Sequence, residues 1–265
     1  MHCETFSIKN TAERTADLSE AARRRLLSIR GEPLFLADWL RPVFIHFEVP
    51  ACVLQRDVPF KLDLRGGKAY VSLVAFTMRR MRPFRGGRFT SWMLRPIANN
   101  DFLNVRTYVR HHGEPGIYFL TEWMNNPISV HLGPITFGLP YRFGEFNYQH
   151  HHGAGTLSGT VRETTIGPTL NYHTHLQPHF IPCPNSSLDE FLLERYTAFT
   201  SHKTTRRFFR IWHEPWQQQS IQISVGDIRL LATVWPWFAD AKPAHANYSP
   251  GVRDVWMGRP HRIKS

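Results

Sequence analysis

Two runs of alternating character face each other across a short polar turn: FLNVRTYVR at 102–110, then HHGEPG, then IYFLTEW at 117–123. Successive side chains of a strand point to opposite faces. In the first arm Asn104, Arg106, Tyr108 and Arg110 therefore share one face, and Leu103, Val105, Thr107 and Val109 share the other. Such a pair is an antiparallel hairpin with one apolar face and one polar, aromatic face. An arginine on that second face, if it looks into a barrel interior, needs an anionic partner: a substrate carboxylate, or a buried glutamate such as Glu122 or Glu145.

The same signals recur along the chain. KAYVSLVAFTM at 68–78 follows Gly66-Gly67 and reads as a strand, and EFNYQHHHGAGTLSGTVRE reads as a hairpin around Gly153-Ala154-Gly155. TLNYHTHLQP, RFFRIWHEPW, SIQISV and IRLLATVW add strands, with Val225-Gly226-Asp227 as a turn. Helices are few. Asp17 to Ile29 has a capping aspartate with Glu20 three residues on, and 126–137 starts behind Pro127. Ser187 and Glu190 form a capping box that opens a helix through LDEFLLERYTAF, where Glu194, Arg195 and Tyr196 would pack and pair along the helix. Between 37 and 49, Pro42 interrupts an apolar run that reads as a helix leading into a strand. The expected class is α+β and mainly β, an antiparallel β-barrel or strongly curved sheet with a few flanking helices.

Composition narrows the functions. Of 265 residues, 42% are apolar and 13% aromatic, enough to bury a large core. The formal charge of +11 invites an acidic partner, yet RRR at 23–25, MRRMRPFRGGR at 78–88 and KTTRRFFR at 203–210 come with no nucleic-acid motif. These runs are read as solvated surface, with nucleic acid disfavoured as a partner. The longest nearly unbroken apolar stretch, Leu230 to Phe238, is too short to span a bilayer, and no membrane partner is expected. The amino terminus lacks a secretory pattern, and Cys3, Cys52 and Cys183 form no CxxC pair, so the cytoplasm is the expected compartment.

Candidate chemistry follows from spacing. His150 with His152, and His173 with His175, would each share a strand face, so two neighbouring strands could present four imidazoles to a metal. No G-x-S-x-G elbow, GxGxxG or P-loop is present. Arg106 and Tyr108 set a guanidinium beside a phenol, for substrate binding or for an internal Arg–Glu pair.

Six blocks then form a pattern: VRTYV at 105–109, EPGIYF at 114–119, GLPY at 138–141, ERY at 194–196, HEPW at 213–216 and YSPGV at 248–252. Together they resemble the YqjF-like family of uncharacterised conserved proteins, related in fold to acetoacetate decarboxylase. The resemblance runs from about Leu34 to Trp256. It implies a domain over 34–265, a helical extension over 1–33, and a strongly bent sheet around a central pocket. Acetoacetate decarboxylase forms a Schiff base through a lysine that follows a proline, with a second lysine lowering its pKa. Position by position, Pro140 matches that proline, while Tyr141 and Arg142 stand at the two lysines. Neither residue forms an imine readily, so decarboxylation of that type is not expected. Lys61, Lys68 and Lys203 do not follow a proline in such a turn. Where YqjF-like sequences often carry a glutamate, this chain has Phe102, which leaves Asp101 or Glu122 to supply an acid.

The expectation is a pocket for a small organic ligand, anionic in character, contacted by Arg106, Tyr108, Tyr141, Arg142 and Glu145. Tyr141 and Glu122 are the acid–base candidates, and no cofactor is expected. The alternatives are a metal-dependent enzyme built on the four histidines and a basic interaction module using 78–88.

Overall fold

Pro42 does not stop the chain from running extended. The computed structural model, which describes residues 2–86, 90–163, 167–177 and 179–264, has a single strand across it, β1 (Phe35–Val49). Proline lacks a donor for the sheet ladder and is tolerated in strands at a bulge. Here Arg41 has φ 51° and the pairing register shifts between Leu40 and Val43. This replaces the expected helix, and it also divides the sheet. Before the bulge β1 pairs on one edge with β16 (Gly251–Met257), and after it with β15 (Pro243–Tyr248).

The remaining strands, in order, are β2 (Lys61–Leu62), β3 (Ala69–Pro83), β4 (Asn100–His111), β5 (Glu114–Met124), β6 (Tyr141–Phe143), β7 (Glu145–His151), β8 (Thr156–Arg162), β9 (Thr169–His175), β10 (Ile181–Pro182), β11 (Thr197–His202), β12 (Thr205–Trp212), β13 (Gln217–Ser220), β14 (Ile223–Asp227) and β17 (His261–Arg262). Thirteen strands form one strongly curved sheet, and β14-β9-β8-β7 form a second, four-stranded antiparallel sheet. The fold is mainly β, as expected.

Alternation in β4 assigns the two faces of the large sheet to two cores. Leu103, Val105 and Val109 join Phe47 and Trp123 in a core shared with Leu157, Val161 and Leu170 of the small sheet. Phe102 and Tyr108 point the other way, into a cluster with Ile117, Leu192, Leu193 and Trp216. The polar face of the hairpin is thus interior. Asn104, Arg106 and Tyr108 are all buried.

The helices differ from the sequence reading in instructive ways. The amino-terminal helix spans His2–Leu27, so Asp17 lies within it and does not cap it. It lies against the sheet: Ser19 Oγ donates to the His213 carbonyl at 2.7 Å, and the Arg23 guanidinium sits 5.3 Å from the Trp256 ring centroid. The Pro127–Thr136 helix is capped by Asn126, whose side chain accepts from Ser129 N. Ser187 caps as expected, but its helix covers only Leu188–Leu193. TAF leaves it to form β11, paired with β12 along its length and with β5 at Ala198 and Phe199. Glu194, Arg195 and Tyr196 are accordingly buried in a connection and are not on a helix face. IRLLATVW is not a strand: Arg229–Ala232 is helical, with Leu230 and Leu231 fully buried. Val225-Gly226-Asp227 lies in β14, and the turn comes after it, where Asp227 Oδ1 accepts from Arg229 N at 2.9 Å. Among the described residues, no helix is long and apolar enough to cross a membrane.

Candidate functional site

The inner face of β4 forms one wall of a cavity of about 500 Å³, to which it contributes Asn100, Phe102, Asn104 and Arg106. At roughly 3.3 Å per strand residue, the line from Asn100 to Arg106 is about 20 Å long. At one end, the Arg106 Nη2 donates to the Leu192 carbonyl at 3.2 Å, and Leu193, His213 and Trp216 close the wall. At the other, Asn100 Nδ2 donates to the Ile97 carbonyl at 2.8 Å, and the wall is completed by Leu94, Ile97 and Leu132. Leu132 lines the cavity and is 44% exposed, which marks the mouth.

The closed end is polar and under-satisfied. Arg106 is 8% exposed, Asn104 8% and Glu122 3%. Arg106 Nε, Asn104 Oδ1 and Glu122 Oε2 are buried without a hydrogen-bond partner. The β4–β5 pairing sets Asn104 opposite Glu122, and β6 runs parallel to β5 with Tyr141 opposite Glu122. Burial pulls the Arg106 guanidinium below its ordinary value, against the pull of Tyr108 and Glu122. Burial also holds the Glu122 carboxyl well above the usual carboxylate range, with Arg106 opposing. Tyr141 is raised by burial and then by Glu122. Burial therefore favours the protonated, hydrogen-donating forms of Glu122 and Tyr141, while Arg106 is the basic group of the site.

Alternation also sorts the GLPYR segment. Tyr141 faces the cavity; Arg142, its neighbour on β6, faces out, with Nε 2.8 Å from Glu163 Oε1 and its guanidinium 5.7 Å from the Trp123 ring centroid. Arg142 does not line the cavity, contrary to expectation, because adjacent strand residues cannot share a face. Glu145 opens β7 in the small sheet, where it is exposed, so the acid nearest Arg106 in this site is Glu122. Tyr108 lies behind the wall: its hydroxyl donates to Leu192 O at 3.0 Å and sits 2.5 Å from Ser72 Oγ. Ser72 is in turn 2.6 Å from His46, whose imidazole burial pushes down to about 3. Asp101 is occupied on the outer side, accepting from Thr77 Oγ1 at 2.7 Å.

The four histidines do not converge. β8 lies between β7 and β9, so the two strands are not neighbours. His150 is buried, with Nε2 2.9 Å from the Tyr172 hydroxyl, whereas His173 and His175 are exposed on the opposite face. His152 has left the strand for a turn and stacks on Phe180 at 5.3 Å. Among the described residues, no group of three or more metal-ligating side chains is close enough to hold an ion.

Several cavity residues were not singled out from sequence. Asn104 was placed on the Arg106 face by alternation but given no role, and Asn100 follows from extending that alternation back along β4. His213 and Trp216 sit in the HEPW block; His213 Nδ1 lies 2.8 Å from Glu214 O, and burial lowers it to about 4. Arg195 reaches the cavity too, but its charge is paired with Asp63 at 2.8 Å. No lysine lines the cavity among the described residues.

Gly133 fixes the ring of Tyr141. A Cβ there would lie 2.2 Å from Tyr141 Cδ2, closer than any real contact, so either the ring or the Pro127–Thr136 helix must move. Gly133→Ala is expected to cost about 1–3 kcal/mol, as overpacking does. Chemical denaturation reads this directly; an unchanged midpoint would show the ring is free to yield.

Comparison with known proteins agrees with this fold. The profile of an uncharacterised conserved protein family, DUF2071, matches residues 36–253. The uncharacterised protein YqjF of Bacillus subtilis (strain 168) is 29% identical over 197 residues, covering 72% of this chain and 78% of that protein. Among solved structures, an acetoacetate decarboxylase from Legionella pneumophila superposes with a TM-score of 0.63 at 12% identity, covering 91% of this chain and 94% of that one. The enduracididine biosynthesis enzyme MppR complexed with pyruvate gives a TM-score of 0.61 at 10% identity, covering 89% and 93%. Identities this low speak to fold alone. With its profile matched across most of its length and its sheet curved around one interior cavity, the chain belongs to the DUF2071 family of uncharacterised conserved proteins and has an acetoacetate decarboxylase-like fold.

Proposed function

We propose that this protein binds one small organic carboxylate in the cavity between β4, β5 and the Pro127–Thr136 helix, without forming an imine. The observation that carries the reading is that three residues lining one cavity, Arg106, Asn104 and Glu122, each hold a buried polar atom without a partner, at Nε, Oδ1 and Oε2. Each unsatisfied buried group costs about 1–3 kcal/mol, and a ligand that pairs all three recovers that cost. A carboxylate accepts from Arg106 Nε–H and from the protonated Glu122. Asn104 Oδ1 takes a hydrogen from a hydroxyl or N–H of the same ligand. The MppR complex with pyruvate, a small carboxylate on a similar fold, supports the class of ligand.

The absence of lysine from the lining of the described cavity argues against Schiff-base chemistry. Should turnover occur, Glu122 is placed to hold and return a proton, and Tyr141 to donate a hydrogen bond. The exposed free thiol of Cys52 suits a reducing compartment such as the cytoplasm.

Two measurements test this reading. Small carboxylates should raise the melting temperature, since ligand at a hundred times its Kd adds about 2.7 kcal/mol to stability. Sodium borohydride with acetoacetate or pyruvate should leave the intact mass of wild type unchanged. Tyr141→Lys should gain a reduced adduct, because the burial seen at Tyr141 favours a free amine. Trapping in wild type would sink the non-imine reading.

A further inference from the structure

The site is longer than a small acid requires, and its chemistry changes along its length. At the Arg106 end the walls carry the charged and unpartnered groups, all at least nine-tenths buried. Beyond Asn104 the cavity passes Phe102, which stacks on Phe76 at 5.1 Å, and then Met78, Met81, Leu94, Ile97 and Met124. A volume of about 500 Å³ corresponds to roughly seventeen water-sized units at about 30 Å³ each. A three- or four-carbon acid would leave most of that apolar space unfilled.

The mouth continues the same trend. Asn126 Nδ2 donates to the Pro96 carbonyl at 2.7 Å, tying the Pro127–Thr136 helix to the turn at Ser91–Ile97. The two segments, SWMLRPI and PISVHLGPIT, hold no carboxylate. They expose Trp92 at 72%, Met93 at 61% and Ile135 at 62% beside the partly exposed Leu132. An apolar chain leaving the cavity meets exposed apolar side chains, with the exposed Arg95 among them and no carboxylate on either segment.

We infer that the ligand is an amphiphile: a carboxylic acid bound head-first at Arg106 and Glu122, with an unbranched apolar tail of medium length lying along β4 toward Leu132. This rests on the carboxylate site proposed above and adds the tail, which the polar groups alone do not require. Methionines suit the task, since their unbranched side chains adapt to a flexible chain.

The test is a homologous series of straight-chain saturated acids from acetate to dodecanoate, each titrated below its micelle concentration by calorimetry. Affinity should rise by up to about fourfold per added methylene through the series until the cavity is filled, as burial of each CH₂ predicts. Leu132→Glu, at a partly exposed position, should narrow the decanoate-to-butyrate affinity ratio at least tenfold by placing a charge on the tail's path. If acetate and butyrate bind and added length brings nothing, the inference falls while the carboxylate site stands. An unchanged ratio in Leu132→Glu overturns it as well, by showing that long acids bind elsewhere. If no acid of any length binds, both readings fall.

Discussion

Arg106→Gln should abolish carboxylate binding at neutral pH, with a loss of about 2–5 kcal/mol, or roughly thirtyfold to several thousandfold in Kd. The size of the effect comes from burial: Arg106 is 8% exposed, its Nε has no protein partner, and the charge it offers is poorly screened. Glutamine retains some length and a hydrogen-bond donor but no charge. Glu122→Gln makes the contrast. Because burial favours the neutral form of the Glu122 carboxyl, an amide stands in for that form, and binding should change less than in Arg106→Gln. The two variants differ most in pH dependence. In wild type, raising the pH through the elevated Glu122 pKa creates a carboxylate beside the bound one, so affinity should fall; Glu122→Gln should flatten that fall. Calorimetric titration of one small acid at several pH values measures both effects. Binding by Arg106→Gln within threefold of wild type would remove Arg106 from the site.

Stability should fall on acidification, and most steeply below pH 4.5. Three buried histidines are held neutral, chiefly by burial: His46 at about 3, and His150 and His213 at about 4, against 6.5 for a free imidazole. Their folded pKa values lie below the unfolded one. The unfolded chain therefore takes up protons as pH drops below 6.5 while the folded chain does not, and stability is lost as pH falls toward 3–4. Each histidine contributes about 1.4 kcal/mol per pH unit in that window. Glu194 and Glu122 act in the opposite sense. Burial raises Glu194 to about 7, despite the hydrogens donated by the Tyr196 hydroxyl at 2.5 Å and Trp216 N at 2.9 Å, and it raises Glu122 well above 4.5. Their contribution is fully present below 4.5 and is lost as pH rises through the folded values. Between 6.5 and 4.5 the carboxyls oppose the histidines and the slope is shallow; below 4.5 that opposition ends and the slope steepens. Urea unfolding at half-unit pH steps tests this. His150→Gln should reduce the lower slope by about a third, and a flat profile from 6.5 to 4 would refute the assignment.

The hairpin at 102–123 was legible because its information is local. Alternation needs only neighbouring residues, and it correctly separated Arg106 from Val105 before any partner was known. The Ser187 cap was legible for the same reason, as was the helix opening behind Pro127. What failed was the extent of elements whose ends are set by distant partners. ERYTAF continues a helical pattern, yet Thr197–His202 is taken up by β12 and β5, whose backbone groups it satisfies. The run at 37–49 contains a proline that ordinarily interrupts regular structure, yet two different strands pair on either side of the bulge.

The candidate site divides along the same line. Sequence alone determined that Arg106 lies on a polar strand face and that the residues at 141 and 142 cannot form an imine, because side-chain chemistry and strand periodicity are properties of the chain itself. Only the tertiary structure decided that this polar face looks inward, that Arg106 shares its cavity with Glu122 and not with Glu145, and that Tyr141 lines the cavity while Arg142 pairs with Glu163 outside it. The physical reason is curvature. Whether a face is interior or exposed depends on which way the sheet bends and what packs against it, and that direction is a sum over thirteen strands that no single segment encodes.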